Sequence, residues 1–390
     1  MQGVVGSMST TVVVDHHDQE EEQDTIVSSS SHSQLKASST KGVERRLGMA
    51  TRFHAGYFRI SLALSGQALL WRTLRDASPE PRSLLPSAAF LLLWSLALAS
   101  LVGLCGLYAA RCLLRFAAVR AEFRHHVAMN YLFAPWISWL LLLQSAPDLE
   151  FLHHQPGIVM NLHRLLWCAF SLPILALDVK VYGQWFTRGR KFLSMVANPA
   201  SHITVIGNLV TARAAAKMGW HEAAVAIFAV GAAHYLVLFV TLYQRFLGSD
   251  SLPAMLRPVF FLFFAAPSMA ALAWDAIAAS FDTACKMLFF LSLFLFASLV
   301  SRPTLFKRAM RRFSVAWWAY SFPLTVLALA AAEYAGEARQ PAANVLMLAL
   351  AVLSVAVTLA LMLFTAIRTN DLLPHDDPFD CPRDHLPSRY

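Results

Sequence analysis

Residues 313–332 read FSVAWWAYSFPLTVLALAAA and carry no charged side chain between Arg312 and Glu333. A helix of about 20 apolar residues is long enough to cross the ~30 Å hydrocarbon layer of a bilayer. Pro323 stands near the middle of the stretch, where its ring removes a backbone donor and clashes with the preceding turn. The segment therefore predicts a membrane-spanning helix that is bent or broken near its centre.

The whole chain is built from blocks of this kind. Of its 390 residues 57% are hydrophobic and only 14% are charged, and its mean hydropathy is +0.50. Soluble domains have about a quarter of their residues charged. The formal net charge of +8 falls between the apolar blocks, a placement that fits orientation in a lipid bilayer and not the binding of nucleic acid. An all-α integral membrane protein is expected.

Ten apolar blocks divide the chain, and each has roughly the length of one membrane-spanning helix. Short basic or proline-containing breaks separate them. The predicted spans are, in order, 53–74, 85–114, 127–146, 160–185, 199–218, 221–244, 256–279, 283–300, 313–332 and 342–367.

The odd-numbered spans share an interruption near the middle. The residues concerned are Gly66, Pro135, Gly207, Pro267 and Pro323. A backbone carbonyl freed by such a residue must find a partner in protein or water, because lipid offers none. We therefore expect five helical hairpins, with the odd helices inside around a central pore and the even helices outside. The alternative is that these residues reflect only the glycine and proline found in membrane helices generally.

The predicted inner helices suggest passive conduction of small anions. The third and ninth spans contain no ionisable group of the kind that pumps and proton-coupled carriers place in their pathways. Hydroxyl groups can solvate an anion without holding it too tightly to leave. Candidate hydroxyls on the odd spans are Ser65, Ser138, Thr204, Ser268 and Ser321.

Phe322 directly precedes Pro323. An aromatic ring at that point would project toward the axis and block a narrow pore. The competing interpretation is an ordinary core phenylalanine, since the chain contains 27 of them. Position alone leaves both interpretations open.

Basic residues predict the orientation of the chain. With the N-terminus in the cytosol, cytosolic loops hold about fifteen Lys and Arg and the opposite side about eight. An even number of spans then places both termini in the cytosol. Residues 1–51, with an acidic run and a serine cluster, are expected to form a disordered cytosolic tail. Residues 52–368 form the predicted ten-helix domain, and residues 369–390 a short cytosolic C-terminal tail.

No constellation for enzymatic catalysis, for a metal site or for a cofactor is present in the sequence. A carrier for malate or another dicarboxylate is a second possibility, and it would need an intramembrane basic residue to hold a carboxylate. Arg59 in the first span is the nearest candidate for that residue.

Several long motifs resemble the plant slow-type (S-type) anion channel family, which is related to bacterial tellurite-resistance and C4-dicarboxylate transporter proteins. The resemblance covers the membrane part from about residue 53 to residue 367. It is carried by FHAGYFRISLALSGQALLW (53–71), NYLFAPWISWLLLLQSAP (130–147), LRPVFFLFFAAPSMAALAWD (256–275) and FSVAWWAYSFPLT (313–325), among others.

This resemblance implies a plasma-membrane channel that conducts nitrate and chloride passively. It also implies a trimer, either homotrimeric or mixed with related subunits, in which each protomer has a pore inside five hairpins. A pore-blocking phenylalanine belongs to the family's ninth helix, and the matching motif AYSFP assigns that role to Phe322. The family's second aromatic constriction falls near Leu141, so an aliphatic residue replaces it here.

The predicted tails are shorter than those of the long guard-cell members, which protein kinases phosphorylate. A protein kinase therefore remains a possible partner, but no serine of this chain is assigned as its target. Short members resemble subunits of root anion transport, and some of these are silent alone. A silent partner subunit is thus an alternative to a channel that conducts by itself.

Overall fold

The computed structural model describes residues 53–77, 87–147, 156–187, 197–247, 254–307, 310 and 313–369. The two predicted tails, 1–51 and 369–390, lie outside these ranges except for Thr369. Every element in the described part is helical, as the apolar blocks predict.

Twelve α-helices are described. They are α1 (Phe58–Ala77), α2 (Ser87–Leu114), α3 (Phe116–Arg124), α4 (Ala134–Gln144), α5 (Pro156–Thr187), α6 (His202–Lys217), α7 (His221–Leu247), α8 (Leu262–Ala278), α9 (Thr283–Val300), α10 (Thr304–Lys307), α11 (Ser321–Ala338) and α12 (Pro341–Ile367). Each predicted span corresponds to one of these helices. The two additional helices, α3 and the single turn α10, were not predicted.

The long helices form five hairpins arranged as two layers. In each hairpin a helix packs on its successor: α1 on α2, α4 on α5, α6 on α7, α8 on α9 and α11 on α12. The first members also contact one another in turn, and α11 returns to α1, so α1, α4, α6, α8 and α11 close an inner ring. The expected separation into inner odd helices and outer even helices is confirmed.

Burial separates the two layers in the same way. The segments Arg257–Ala278 and Val315–Ala338 of the inner ring are 83% and 94% buried, whereas the apolar segments of the five outer helices are between 17% and 39% buried. Large apolar side chains such as Leu92, Phe294 and Val345 point outward and are more than half exposed. Such a surface is soluble in lipid and not in water.

Seven of the described helical segments are long and apolar enough to cross a membrane, and α3 with Ala128–Gln144 adds an eighth if that pair, bent by 107°, is one span. The count of ten stays a prediction. Helices α1 and α6 carry Arg72 and Arg213. A helix enclosed by other helices is not required to be as apolar as one that faces lipid.

Each inner helix is preceded by a short 3-10 segment. We call these the entry segments: Ala55–Tyr57, Ala128–Phe133, Pro199–Ser201, Ala254–Phe261 and Val315–Tyr320. Each contacts its neighbours, so the entry segments form a second closed ring at one end of the bundle.

The entry segments change the interpretation of the predicted interruptions. Pro135 and Pro323 lie in the first turns of α4 and α11, where proline costs no internal hydrogen bond. The break in those two spans is the junction between 3-10 and α geometry. Pro267 does lie inside α8. At Gly66 and Gly207 the structure differs from the expectation, because α1 and α6 continue through them as α-helix.

A buried polar network joins α1 to the hairpin α11–α12. The side-chain amide of Gln67 lies 2.9 Å from the hydroxyl of Thr325 and 2.7 Å and 2.9 Å from those of Ser354 and Thr358. Ser321 and Thr358 share a further hydrogen bond of 2.7 Å. Since Ser321 and Thr325 of α11 both take part, the network ties the helix that carries Phe322 to α1 and α12.

We expect Gln67→Ala to destabilise the bundle, because it leaves several buried hydroxyls without one of their partners. The loss should be about 1–3 kcal/mol, which is a fall of about 2–8 °C in the melting midpoint of the detergent-purified chain. Gln244→Ala, at an exposed position on α7, is the matched control and should melt like the wild type. Equal midpoints for Gln67→Ala and the wild type would show that the network contributes little.

Candidate functional site

A small cavity lies on the axis of the inner ring. Each of the five hairpins contributes to its wall through its inner helix or entry segment: Leu62 from α1, Tyr131 from the entry segment of α4, Ile203 from α6, Leu262 from α8 and Phe322 from α11. A cavity that touches all members of a closed ring must lie inside that ring. The expected central space is therefore present at this level of the bundle, next to the entry segments.

Phe322 is one of the side chains that line the cavity. Its side chain is only 2% exposed, and Pro323 lines the cavity beside it. Gly66 on α1 faces the phenyl ring of Phe322 directly, since a Cβ at position 66 would lie 3.2 Å from Cδ2 of Phe322. The glycine thus provides the space that the phenyl ring occupies between α1 and α11.

The other predicted pore residues lie away from this cavity. Pro135 and Leu141 are buried within α4, and Pro267 is buried within α8, but none of the three lines the cavity. Gly207 lies where α6 meets its neighbours, because a Cβ there would be 3.4 Å from Ile174 of α5 and from Phe133. The structure therefore brings together Gly66, Phe322 and Pro323, and not the remaining four.

Most of the predicted hydroxyls are already engaged by protein. Ser138, Thr204 and Ser268 each donate to a carbonyl three or four residues earlier. Ser321 hydrogen-bonds to Thr358. A proton donated to a helix carbonyl is not available to an anion. Of the five predicted hydroxyls, only that of Ser65 is buried without a hydrogen-bond partner among the described residues.

Arg59 is a candidate functional residue whose position the sequence left open. It belongs to the cavity wall. Its guanidinium carbon lies 4.4 Å from the centre of the Tyr131 ring, and its Nε donates to the carbonyl of Gly56 at 2.9 Å. A clue was visible in the sequence, because Arg59 is the only charged residue between Phe53 and Trp71.

Helix α3 packs at the end of the inner ring of helices where Arg59 lies. Glu122 accepts a hydrogen bond of 2.6 Å from the backbone N–H of Ala55, and its other carboxylate oxygen lies 3.8 Å from Arg111 on α2. Both charged side chains are only 3% exposed. The carboxylate thereby anchors the entry segment of α1, four residues before Arg59.

Comparison with known proteins agrees with this architecture. The family model described as the voltage-dependent anion channel, SLAC1, matches residues 52–366. The chain is 56% identical to the S-type anion channel SLAH1 of Arabidopsis thaliana over 329 residues, which is 83% of each chain. It is 53% identical to SLAH4 of the same plant over 85% of this chain and 87% of that protein. The chain belongs to the S-type anion channel family.

Within this family the match covers the entire ring of hairpins, so the resemblance noted in the sequence is confirmed. The guard cell S-type anion channel SLAC1 of Arabidopsis thaliana is 40% identical over 328 residues, 83% of this chain but 58% of that protein. The difference in coverage means that a large part of the guard cell channel has no counterpart in the aligned region. What this chain shares with the family is the bundle that surrounds Phe322.

Proposed function

We propose that this chain is an S-type anion channel subunit that conducts nitrate and chloride passively across the plasma membrane, with Phe322 as the gate of its pore. The observation that carries the proposal is the position of Phe322, which is buried, lines the cavity inside the closed inner ring of helices and lies against Gly66. Membership of the anion channel family supports an anion as the conducted ion. The space inside the inner ring of helices would be the path of that ion.

The electrostatics of the cavity favour anions over cations. Its wall contains apolar and aromatic side chains together with one guanidinium, and no carboxylate. A cation entering this space would meet the positive charge of Arg59 in surroundings of low dielectric, where repulsion is strong. Each unit charge that crosses is driven by about 2.3 kcal/mol per 100 mV of membrane potential. No proton coupling is needed for such a flux.

The proposal includes the assembly and the orientation expected from the sequence. The subunit forms a trimer with one pore in each protomer, either with itself or with related chains. Both termini face the cytosol, so the ring of entry segments and Arg59 lie at the cytosolic end of the pore. The basic cytosolic loops then raise the local concentration of anions at that mouth.

A subunit that conducts only in a mixed assembly is the second candidate. The observation that favours it is the burial of Phe322, which is 2% exposed inside the single chain and would keep that chain closed. A dicarboxylate carrier is a third, and the presence of Arg59 in the cavity favours it. A carrier current would saturate with substrate and follow the proton gradient, whereas a channel current would do neither at moderate concentrations.

Voltage-clamp recording in oocytes separates these functions. We expect the chain, expressed alone or with a long member of its family, to add a current whose reversal potential follows the nitrate and chloride gradients. Current only on co-expression identifies the partner subunit. A current that follows external pH at fixed anion gradients, or no change in current in either arrangement with the chain at the surface, contradicts the proposal.

A further inference from the structure

Arg59 presents a buried charge that no carboxylate in the described part of the chain neutralises. The residue is 8% exposed, and its Nη1 is buried without a hydrogen-bond partner among the described residues. No carboxylate of the described part lies within ion-pair distance of it, although Glu122 pairs with Arg111 nearby. Burial of an unpaired charge is costly, so such a group is normally paired or binds a ligand.

A second unused donor lies beside it. The phenol hydroxyl of Tyr131 is also buried without a hydrogen-bond partner in the described part of the chain. Tyr131 and Arg59 line the same cavity, and their side chains stack at 4.4 Å. The other groups around that cavity are carbon-rich side chains such as Leu62, Ile203 and Val259, which offer no acceptor.

The contacts of Arg59 hold its guanidinium in one orientation. The Nε atom is fixed by the Gly56 carbonyl and the guanidinium face by the Tyr131 ring. A guanidinium held in this way keeps its remaining N–H groups directed at a ligand with little further loss of entropy. Hydrogen bonds from a charged donor to an anion are about twice as strong as neutral ones.

We propose that Arg59 and Tyr131 form a binding site for one small inorganic anion, such as nitrate or chloride, next to Phe322. The inference rests on the proposed function and deepens it, because it names where an anion binds before it passes the phenyl ring. The bound anion neutralises the buried guanidinium and accepts a hydrogen bond from the phenol. The site is thus a specificity determinant for anions inside the ring, distinct from the gate.

The test measures binding directly and does not require conduction. The full chain is purified in detergent, and its melting midpoint is followed while gluconate is replaced by nitrate at constant ionic strength. A ligand that binds the folded protein raises the midpoint saturably. We expect saturation in the wild type and a half-saturating nitrate concentration about ten- to hundredfold higher in Arg59→Gln, as loss of a charged hydrogen bond implies.

Two further variants complete the design. Tyr131→Phe keeps the ring that stacks on Arg59 and removes only the hydroxyl, so it should fold normally and bind nitrate about three- to tenfold more weakly. If Arg59→Gln does not fold, the nitrate titration of Tyr131→Phe tests the binding site in its place. Arg72→Gln is the matched control, because it makes the same substitution on the same helix outside the cavity, and it should titrate like the wild type.

The outcomes distinguish this site from the gate. A wild type without saturable stabilisation overturns the site, as does unchanged half-saturation in both Arg59→Gln and Tyr131→Phe. A lower midpoint in gluconate with unchanged half-saturation assigns Arg59 a structural role only. If Phe322→Ala conducts and the titrations are unchanged, the function stands and the site fails. If stabilisation depends on Arg59 while Phe322→Ala passes no current, the site stands and the gate fails.

Discussion

Phe322→Ala should produce a large constitutive anion current. The phenyl ring is 2% exposed and lies against Gly66, so its removal leaves open space next to the cavity inside the inner ring of helices. An anion forced through an apolar plug loses water without replacement, which costs several kcal/mol. Since about 1.4 kcal/mol corresponds to a tenfold change in rate, we expect an increase in current of about a hundredfold or more. Recording in oocytes under symmetric and graded nitrate measures it.

Surface labelling must accompany that recording, because a variant that fails to reach the membrane also passes no current. Phe294→Ala provides the matched control, since Phe294 is 67% exposed on the outer face of α9. It removes the same side chain from a position that faces lipid, and its current should equal that of the wild type. A Phe322→Ala protein present at the surface with unchanged current would defeat the assignment of the gate.

Hydropathy was sufficient to predict the long outer helices of this fold. Each helix that faces lipid contains a long apolar stretch, and the span predicted at residues 283–300 coincides with α9, Thr283–Val300. Proline and glycine distinguished the inner helices correctly, although the physical reason is partly different. Pro135 and Pro323 begin α-helices that follow 3-10 segments, and they do not bend helices at mid-length.

Three features could not be predicted because they depend on contacts between distant segments. Helix α3 is short and partly charged, and only the fold shows that Glu122 is buried against the backbone of Ala55. The sequence offered Arg59 only as the nearest intramembrane basic residue, and its place in the cavity depends on the entry segment of another hairpin that supplies Tyr131. The pairing of Gly66 with Phe322 likewise joins the first hairpin to the fifth.

That pairing leads to a second prediction of large effect. Introduction of Gly66→Leu into the Phe322→Ala protein should reduce the constitutive current about tenfold or more, a barrier increase of about 1.4 kcal/mol or greater. The reason is geometric: the Cβ of residue 66 points at the place of the missing ring, so a leucine there occupies part of the opened space. Currents per surface-labelled protein, and single-channel amplitudes where resolved, provide the measurement.

Gly103→Leu in the same Phe322→Ala background is the control, because a Cβ at position 103 on the outer helix α2 has no neighbour within 4 Å. It adds an identical side chain toward lipid and should leave the current unchanged. If Gly66→Leu and Gly103→Leu carry equal currents, the volume vacated by the phenyl ring is not part of the anion path. If leucine at position 66, and not leucine at position 103, returns the current to the level of the closed channel, the anion path lies between α1 and α11. The side chains of residues 66 and 322 compete for one space at that place.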